Sequence, residues 1–115
     1  MENLELFFRG DILTAKLKSE IDHHSAAVIR EKIDEMLYKE LPRTLVFELS
    51  EVNFMDSSGL GLILGRFTKA RELGVEVIIK NPSKRTEKIF RMAGTDKFIK
   101  ISHDKEKKDE ANKRN

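Results

Sequence analysis

The feature of this sequence that most constrains its fold is an alternation between segments with the two-residue period of a strand and segments with the period of a helix. Two alternating stretches flank Gly10-Asp11, a dipeptide suited to a tight turn, and predict an antiparallel hairpin. Apolar residues then recur at helical spacing over residues 26–37, with Asp22 or Ser25 available as the N-cap and Pro42 beyond the end. The chain is therefore expected to open with a hairpin and an amphipathic helix.

The rest of the chain repeats this order of strand and helix. The pattern predicts a strand, a helix, a strand, a short helix and a short last strand, over residues 45–49, 60–73, 75–79, 83–93 and 98–101. Gly74 is placed to end the first of these helices in the left-handed conformation. Val46 makes its strand apolar on both faces, as in the centre of a sheet. The order predicts an α/β fold with a mixed sheet, in which crossover helices join parallel strands.

Length and composition set the class of protein. The chain has 115 residues, of which 39% are hydrophobic, enough for one domain with one core. Its 22 Lys and Arg residues nearly balance its 20 Asp and Glu residues, so the charge gives no reason to expect direct binding to nucleic acid. Cysteine is absent from the sequence, which excludes disulfides and thiolate sites and fits a cytoplasmic protein. The acidic start and the lack of a long apolar run predict neither a signal peptide nor a contact with the membrane.

The end of the chain differs in composition from the rest. Residues 104–115 are mostly charged and almost without apolar side chains, so burial cannot offset the entropy that ordering would remove. We expect a folded domain over residues 1–103 and a disordered, charged tail over residues 104–115.

The segment Asp56-Ser57-Ser58-Gly59 lies between the predicted central strand and the helix that follows it. Unpaired N–H groups at a helix N-terminus favour an added negative charge, so a serine here is suited to carry a phosphate. The alternative is that Asp or Ser only caps the helix. These residues by themselves leave both interpretations open.

Three glycines near this point invite comparison with a nucleotide-binding loop. Gly59, Gly61 and Gly65 follow a strand and open a helix, but Leu64 occupies the third glycine position of the dinucleotide fingerprint. The pair Gly61 and Gly65 is more typical of close backbone packing of one helix face, either on the sheet or against a partner. Nucleotide binding is therefore the weaker hypothesis.

Other polar residues give little sign of catalysis or metal binding. The side chains of His23 and His24 diverge because the residues are adjacent, and no third ligand cluster accompanies them. The Gly-x-Ser-x-Gly pattern of a nucleophile elbow is absent from the sequence. We expect neither a metal site nor a hydrolase.

The segment from Val52 to Arg66, Val-Asn-Phe-Met-Asp-Ser-Ser-Gly-Leu-Gly-Leu-Ile-Leu-Gly-Arg, closely resembles the signature of the STAS family of anti-sigma factor antagonists. Residues 20–25 and 94–98 are similar to the family at the matching places. The resemblance extends from the first strand to Ile101, is strongest to the family's sporulation members, and leaves out only the charged tail.

The resemblance implies a fold and a function. The fold is the STAS fold, an α/β fold with a mixed sheet of about five strands and helices packed mainly on one face. In this family, the unphosphorylated antagonist binds an anti-sigma factor that is also a serine kinase, and the sigma factor is released. The kinase uses ATP to phosphorylate the antagonist, and a serine phosphatase resets it. The chain would then be a non-enzymatic regulator without a cofactor; a STAS module of another stress-signalling complex and a small nucleotide-binding protein are the alternatives.

The resemblance also implies roles for individual residues. It makes Ser58 the phosphoacceptor, with Asp56 and Ser57 as flanking contacts. Because loops after parallel strands gather at one end of a sheet, the start of the first helix should lie beside Ser58. The expected partner-binding surface consists of Asp22, His23, His24, Asp56, Ser57, Ser58, Gly59 and Gly61.

Overall fold

The computed structural model describes residues 3–104 and contains the elements in the predicted order. They are β1 (Leu4–Arg9), β2 (Ile12–Ile21), α1 (His23–Glu40), β3 (Thr44–Met55), α2 (Ser57–Glu72), β4 (Glu76–Lys80), α3 (Lys84–Met92), a 3₁₀ turn (Thr95–Lys97) and β5 (Lys100–Ser102). The described helices fall short, in length or in apolar content, of what a bilayer crossing needs.

The strands form one mixed sheet. Its order is β1-β2-β3-β4-β5, with β1 antiparallel to β2 and every later pair parallel. Gly10 turns the opening hairpin with φ +60°, a conformation that glycine adopts without strain. Since β2, β3 and β4 are each followed by a helix, the helices act as the crossover connections that the sequence predicts.

The helices cover one face of the sheet, and the core lies between the two layers. Along β2, residues 13, 15 and 17 are buried while residues 12, 14 and 16 are more exposed, the alternation of a sheet with one covered face. The fully buried side chains of this core include Leu13, Leu17, Ile29, Ile33, Leu37, Leu45, Phe47 and Ile63. The other face carries charged side chains such as Lys16, whose Nζ lies 2.6 Å from Oε2 of Glu51. This arrangement confirms the predicted fold.

Three element boundaries differ from the sequence prediction by more than one residue. β3 runs to Met55, beyond the predicted end at Leu49, because it continues to pair with β2. α2 begins at Ser57 instead of Leu60, since Asp56 caps it. The last strand begins at Lys100, later than predicted, because the 3₁₀ turn occupies the preceding residues.

The last described residues are tied to the rest of the fold. The amide of Asp104 donates to Oδ1 of Asn81 at 2.8 Å, and Nδ2 of Asn81 donates to the Asp104 carboxylate at 2.9 Å. Nε2 of His103 lies 2.8 Å from Oε1 of Glu87 on α3. The prediction for the remainder of the charged tail, residues 105–115, lies outside the described residues.

Candidate functional site

The junction between β3 and α2 is organised by Asp56. This residue has an extended backbone, and its Oδ1 accepts hydrogen bonds from the amides of Ser58 at 2.8 Å and Gly59 at 3.3 Å. Asp56 is therefore the N-cap, as one of the two sequence interpretations requires. Because the cap is a carboxylate, neither serine hydroxyl is needed to start the helix.

The two serines differ in environment. Ser57 is exposed, whereas Ser58 is half-buried. In the part of the chain that the structure describes, the hydroxyl of Ser58 takes part in no hydrogen bond and is free to react. It stands in the first turn of a 16-residue helix, where the helix dipole favours negative charge.

The junction between β2 and α1 has the same construction. Asp22 caps α1 by accepting from the Ser25 amide at 2.9 Å, while Oγ of Ser25 accepts from the Asp22 amide at 3.0 Å. Oγ of Ser25 also donates to Oδ1 of Asp22 at 3.0 Å. The hydrogen bond from the Ser25 amide, followed by this one from the Ser25 side chain, lowers the pKa of Asp22. Asp22, His23 and His24 are all exposed. The carboxylate therefore stays ionised at neutral pH beside two accessible imidazoles.

The sheet brings these two junctions together. β2 and β3 are parallel, and Ile21, the last residue of β2, pairs with Met55, the last residue of β3. The two N-caps Asp22 and Asp56 therefore follow neighbouring positions of adjacent strands, which lie about 5 Å apart in a sheet. The start of α1 therefore lies beside the Ser58 loop, while the role of these residues in partner binding stays a prediction.

Two register shifts between β2 and β3 set this alignment, and at each of them the extra residue lies in β3. The pairing of β2 with β3 slips between Lys16 and Lys18 and again between Ser19 and Glu20, and Ser19 has φ 66°. Such bulges add local twist and re-aim the end of a strand, and they are frequent next to functional sites.

A groove of about 300 Å³ runs between α1 and α2 from this edge of the sheet. It is lined by His23, Ala26, Ala27 and Arg30 of α1 and by Ser58, Gly61, Leu62, Gly65 and Arg66 of α2. Three of the predicted site residues, His23, Ser58 and Gly61, thus share one concave surface. His24 and Ser57 lie outside the groove lining, on the exposed rim of the same edge.

The glycines of this region differ in the space available for a side chain. A Cβ added to Gly59 would lie 2.2 Å from Cγ of Met55, so internal packing explains this residue. A Cβ added to Gly61 or Gly65 would meet nothing within 4 Å. Glycine inside a helix costs about 1 kcal/mol relative to alanine. Packing within the described chain does not explain this cost at Gly61 and Gly65, whereas the approach of another molecule would.

A buried ion pair joins the two helices below the groove. Nε of Arg66 lies 2.6 Å from Oδ1 of Asp34, in an ionic contact rather than a well-aligned hydrogen bond. Arg66 is only 5% exposed. Burial lowers the pKa of its guanidinium and Arg30 acts in the same direction, whereas Asp34 raises the pKa. The positive charges of Arg30 and Arg66 are therefore close to each other. Of these two, only Arg66 has an ionic partner among the described residues.

Sequence reasoning missed the α1 side of the groove beyond His23. Ala26, Ala27 and Arg30 follow His23 at intervals of three, four and seven residues, the spacing of one helix face. This spacing was available as a signal, but the sequence does not tell which face of α1 meets α2. Phe54, 44% exposed just before the Ser58 loop, was also missed, as it lies in the unpredicted end of β3.

Comparison with known proteins agrees with this geometry. The sequence model of the STAS domain matches residues 3–108. The chain is 35% identical over 91 residues to the anti-sigma F factor antagonist of Lysinibacillus sphaericus, covering 79% of this chain and 77% of that protein. It is 33% identical over 100 residues to the anti-sigma-B factor antagonist of Bacillus subtilis, covering 87% of this chain and 90% of that protein.

Solved structures show the same fold. The unphosphorylated form of the anti-sigma factor antagonist SpoIIAA superposes with a TM-score of 0.78 at 28% identity, covering 95% of this chain and 96% of that one. The phosphorylated form of SpoIIAA, a Bacillus cell fate determinant, gives a TM-score of 0.73 at 28% identity, covering 94% and 98%. The match over nearly the whole chain, together with the five-stranded mixed sheet, shows that this protein belongs to the STAS domain family.

Proposed function

We propose that this protein is an anti-sigma factor antagonist that binds its anti-sigma factor through the edge of the sheet around Ser58, and that phosphorylation of Ser58 ends the binding. The observation that carries the proposal is the position of Ser58. Its hydroxyl lies in the first turn of α2, in a groove that the two helices leave open.

The relatives support the class of function. Proteins named antagonists of anti-sigma F and anti-sigma-B factors match this chain at 31% to 35% identity over most of their length. SpoIIAA, which shares the fold at 28% identity, has been solved in an unphosphorylated and a phosphorylated form. A switch of phosphorylation state within one fold is therefore a reasonable mechanism for this chain.

The local geometry favours Ser58 over Ser57 as the phosphoacceptor. Neither serine hydroxyl caps the helix, because Asp56 is the N-cap. Ser58 lies in the groove beside His23 and Gly61, while Ser57 lies outside its lining. A modification at Ser58 thus acts within the surface that Asp22, His23, His24 and Gly61 contribute to binding.

Charge provides the switch. A phosphate adds about −1.5 to −2 charges at neutral pH, next to the carboxylate of Asp56. A partner surface shaped for a neutral hydroxyl would face a solvated dianion, and about 2.7 kcal/mol of repulsion and desolvation lowers affinity a hundredfold. The helix N-terminus tolerates this charge, so binding can be lost while the fold is kept.

The proposal assigns the catalytic steps to other proteins. The anti-sigma factor acts as the serine kinase and uses ATP, a serine phosphatase restores the hydroxyl, and this chain acts as a cytoplasmic, non-enzymatic regulator of transcription, in sporulation. In support, the amides of Ser58 and Gly59 are already bonded to Asp56, so they are not available to cradle a nucleotide phosphate.

Binding to the purified anti-sigma factor tests the proposal through matched substitutions. We expect Ser58→Asp to weaken binding by about a hundredfold or more and Ser58→Ala to retain it. Ser57→Asp places the same charge one residue away, outside the groove, and should have a much smaller effect. Equal affinities for Ser58→Asp and the wild type, measured by calorimetry, would contradict the charge mechanism.

A second candidate is a STAS module that acts in a stress-signalling complex. The 33% identity to the anti-sigma-B factor antagonist of Bacillus subtilis over 87% of the chain does not separate the two, because that relative is also named an antagonist. Capture of partners from the source cell separates the two functions, because the first predicts an anti-sigma factor with its sigma factor and the second a large scaffold.

A further inference from the structure

The groove between α1 and α2 contains a positive charge that has no ionic partner in the structure. Arg30 is exposed and lines the groove together with Ser58. Within residues 3–104, no carboxylate forms an ion pair with Arg30, whereas the neighbouring Arg66 is paired with Asp34. The groove therefore has one uncompensated cation before any modification of Ser58.

The direction of the two helices points Arg30 toward Ser58. α1 and α2 both begin at the edge of the sheet where the parallel strands β2 and β3 end, so they run in the same direction. His23 and Ser58 stand in the first turns, and Arg30 is seven residues after His23, about 10 Å along the helix axis. The axes of packed helices also lie about 8–10 Å apart, so the contact requires Arg30 to extend toward the N-terminus, the direction in which helical side chains lean.

Small residues keep the space between these groups open. Ala26 and Ala27 of α1 and Gly61 of α2 line the same groove as Ser58 and Arg30. An added Cβ at Gly61 would meet no atom within 4 Å, so the passage is not filled by the chain itself. A guanidinium can therefore approach a phosphate on Ser58 without rearrangement of either helix.

We propose that Arg30 binds the phosphate carried by Ser58 across the groove between α1 and α2, which holds the phosphorylated side chain in a docked position. The inference rests on the proposed function, which supplies the phosphate. Arginine presents a planar fork of N–H donors that matches phosphate oxygens and favours a bidentate contact. His23 stands at the open end of the groove and can donate a second hydrogen bond when it is protonated.

Docking has a consequence for the switch. A phosphate held between the helices occupies the concave surface that the partner would use, so it blocks binding by its volume as well as by its charge. The contact also offsets the repulsion between the phosphate and the carboxylates of Asp22 and Asp56 at the same edge. Arg66 contributes less, because its charge is already compensated by Asp34.

The contact can be tested without the kinase, by encoding phosphoserine at position 58 and titrating its phosphate by ³¹P NMR. The second pKa of phosphoserine is near 6. Arg30 should hold it lower, and Arg30→Gln should raise it by about half a unit or more. Arg30→Lys keeps the charge without the planar fork and should give an intermediate value. Unphosphorylated Arg30→Gln should unfold at the same temperature as the wild type, because Arg30 is exposed.

A matched control separates contact from net charge. Arg85→Gln removes the same charge from the exposed start of α3 and should leave the phosphate pKa unchanged. An unchanged pKa in Arg30→Gln, or an equal rise in Arg85→Gln, overturns the inference. Failure of the kinase to modify Ser58 would instead overturn the proposed function, and the encoded phosphoserine keeps the two outcomes distinct.

Discussion

The glycines near the β3–α2 junction differ in whether internal packing explains them. Gly59 faces inward against Met55 and Ile21, while Gly61 and Gly65 face the open groove. All three belong to the same helix and to the same sequence motif. Internal packing therefore explains Gly59 but not Gly61, whose proposed role is close approach by a partner.

Alanine substitutions test this division by their opposite effects on the free energy of unfolding. Gly59→Ala places a Cβ where it overlaps Met55, and we expect a loss of about 1–3 kcal/mol. Gly61→Ala adds a better helix former in open space and should stabilise the fold by about 0.5–1 kcal/mol. Chemical denaturation of both variants measures these effects.

Binding of the same variants completes the test. If a partner backbone approaches Gly61, Gly61→Ala should bind the anti-sigma factor more weakly although it is the more stable protein. A stabilised Gly61→Ala that binds as tightly as the wild type would contradict this assignment of Gly61.

The elements are held in register by contacts that the hydrophobic pattern does not reveal. α1 and α2 lie side by side on the sheet, and the pair of Asp34 and Arg66 joins them. Arg66 is nearly fully buried and Asp34 is partly exposed. The pair therefore links α1 and α2 beside the groove that contains Ser58.

Removing one partner of this pair should be costly. Asp34→Asn leaves the Arg66 guanidinium buried without a counter-charge, and we expect a loss of about 2 kcal/mol or more in unfolding free energy. Adding Arg66→Met to this variant should recover part of the loss, because the uncompensated charge is then gone. Urea denaturation of both variants gives the answer; a loss below about 0.5 kcal/mol for Asp34→Asn would show that water screens the pair.

At this scale the sequence predicts the type and order of the strands and α-helices, but it misses the 3₁₀ turn and some boundaries. The end of β3 was missed because Val52 and Met55 are buried three residues apart, out of step with the two-residue period of a strand. The two register shifts, each with an extra residue in β3, accompany this irregular burial, and they arise from pairing between strands that are distant in sequence. A local pattern cannot reveal them.

The candidate site shows the same limit. The parallel strand order was enough to place Asp22 and His23 beside the Ser58 loop, because it fixes which strand ends meet. Arg30 was not predicted, since its position depends on how α1 rotates about its axis when it packs against α2. That rotation follows from side-chain packing in three dimensions.

At the scale of the whole molecule, polar contacts join α3 to the residues that follow β5. Glu87 of α3 receives a hydrogen bond from Arg91 and contacts His103, just after β5. The hydrogen bond from Arg91 has the largest effect and lowers the pKa of Glu87; burial opposes it, and the hydrogen bond with His103 lowers the pKa further. A carboxylate whose pKa is lowered in the folded state stabilises the fold above the unfolded pKa of about 4.3 and loses this effect as the pH falls through the folded value.

The sign of this effect gives a pH prediction. Between about pH 5 and pH 3, the melting temperature of the wild type should fall more steeply than that of Glu87→Gln, which has no carboxylate to protonate at this position. Glu31→Gln on the exposed side of α1 is the matched control and should follow the wild type. If the melting temperatures of Glu87→Gln and the wild type fell in parallel with pH, Glu87 would not contribute to the loss of stability in acid.

The central claim concerns the whole molecule as a switch with one modifiable residue. The most direct measurement is incubation with the anti-sigma factor and ATP, followed by mass mapping of the phosphate in the wild type, Ser57→Ala and Ser58→Ala. The account predicts one phosphate on Ser58 in the wild type and in Ser57→Ala, and none in Ser58→Ala. A phosphate on Ser57, or one retained by Ser58→Ala, would contradict it.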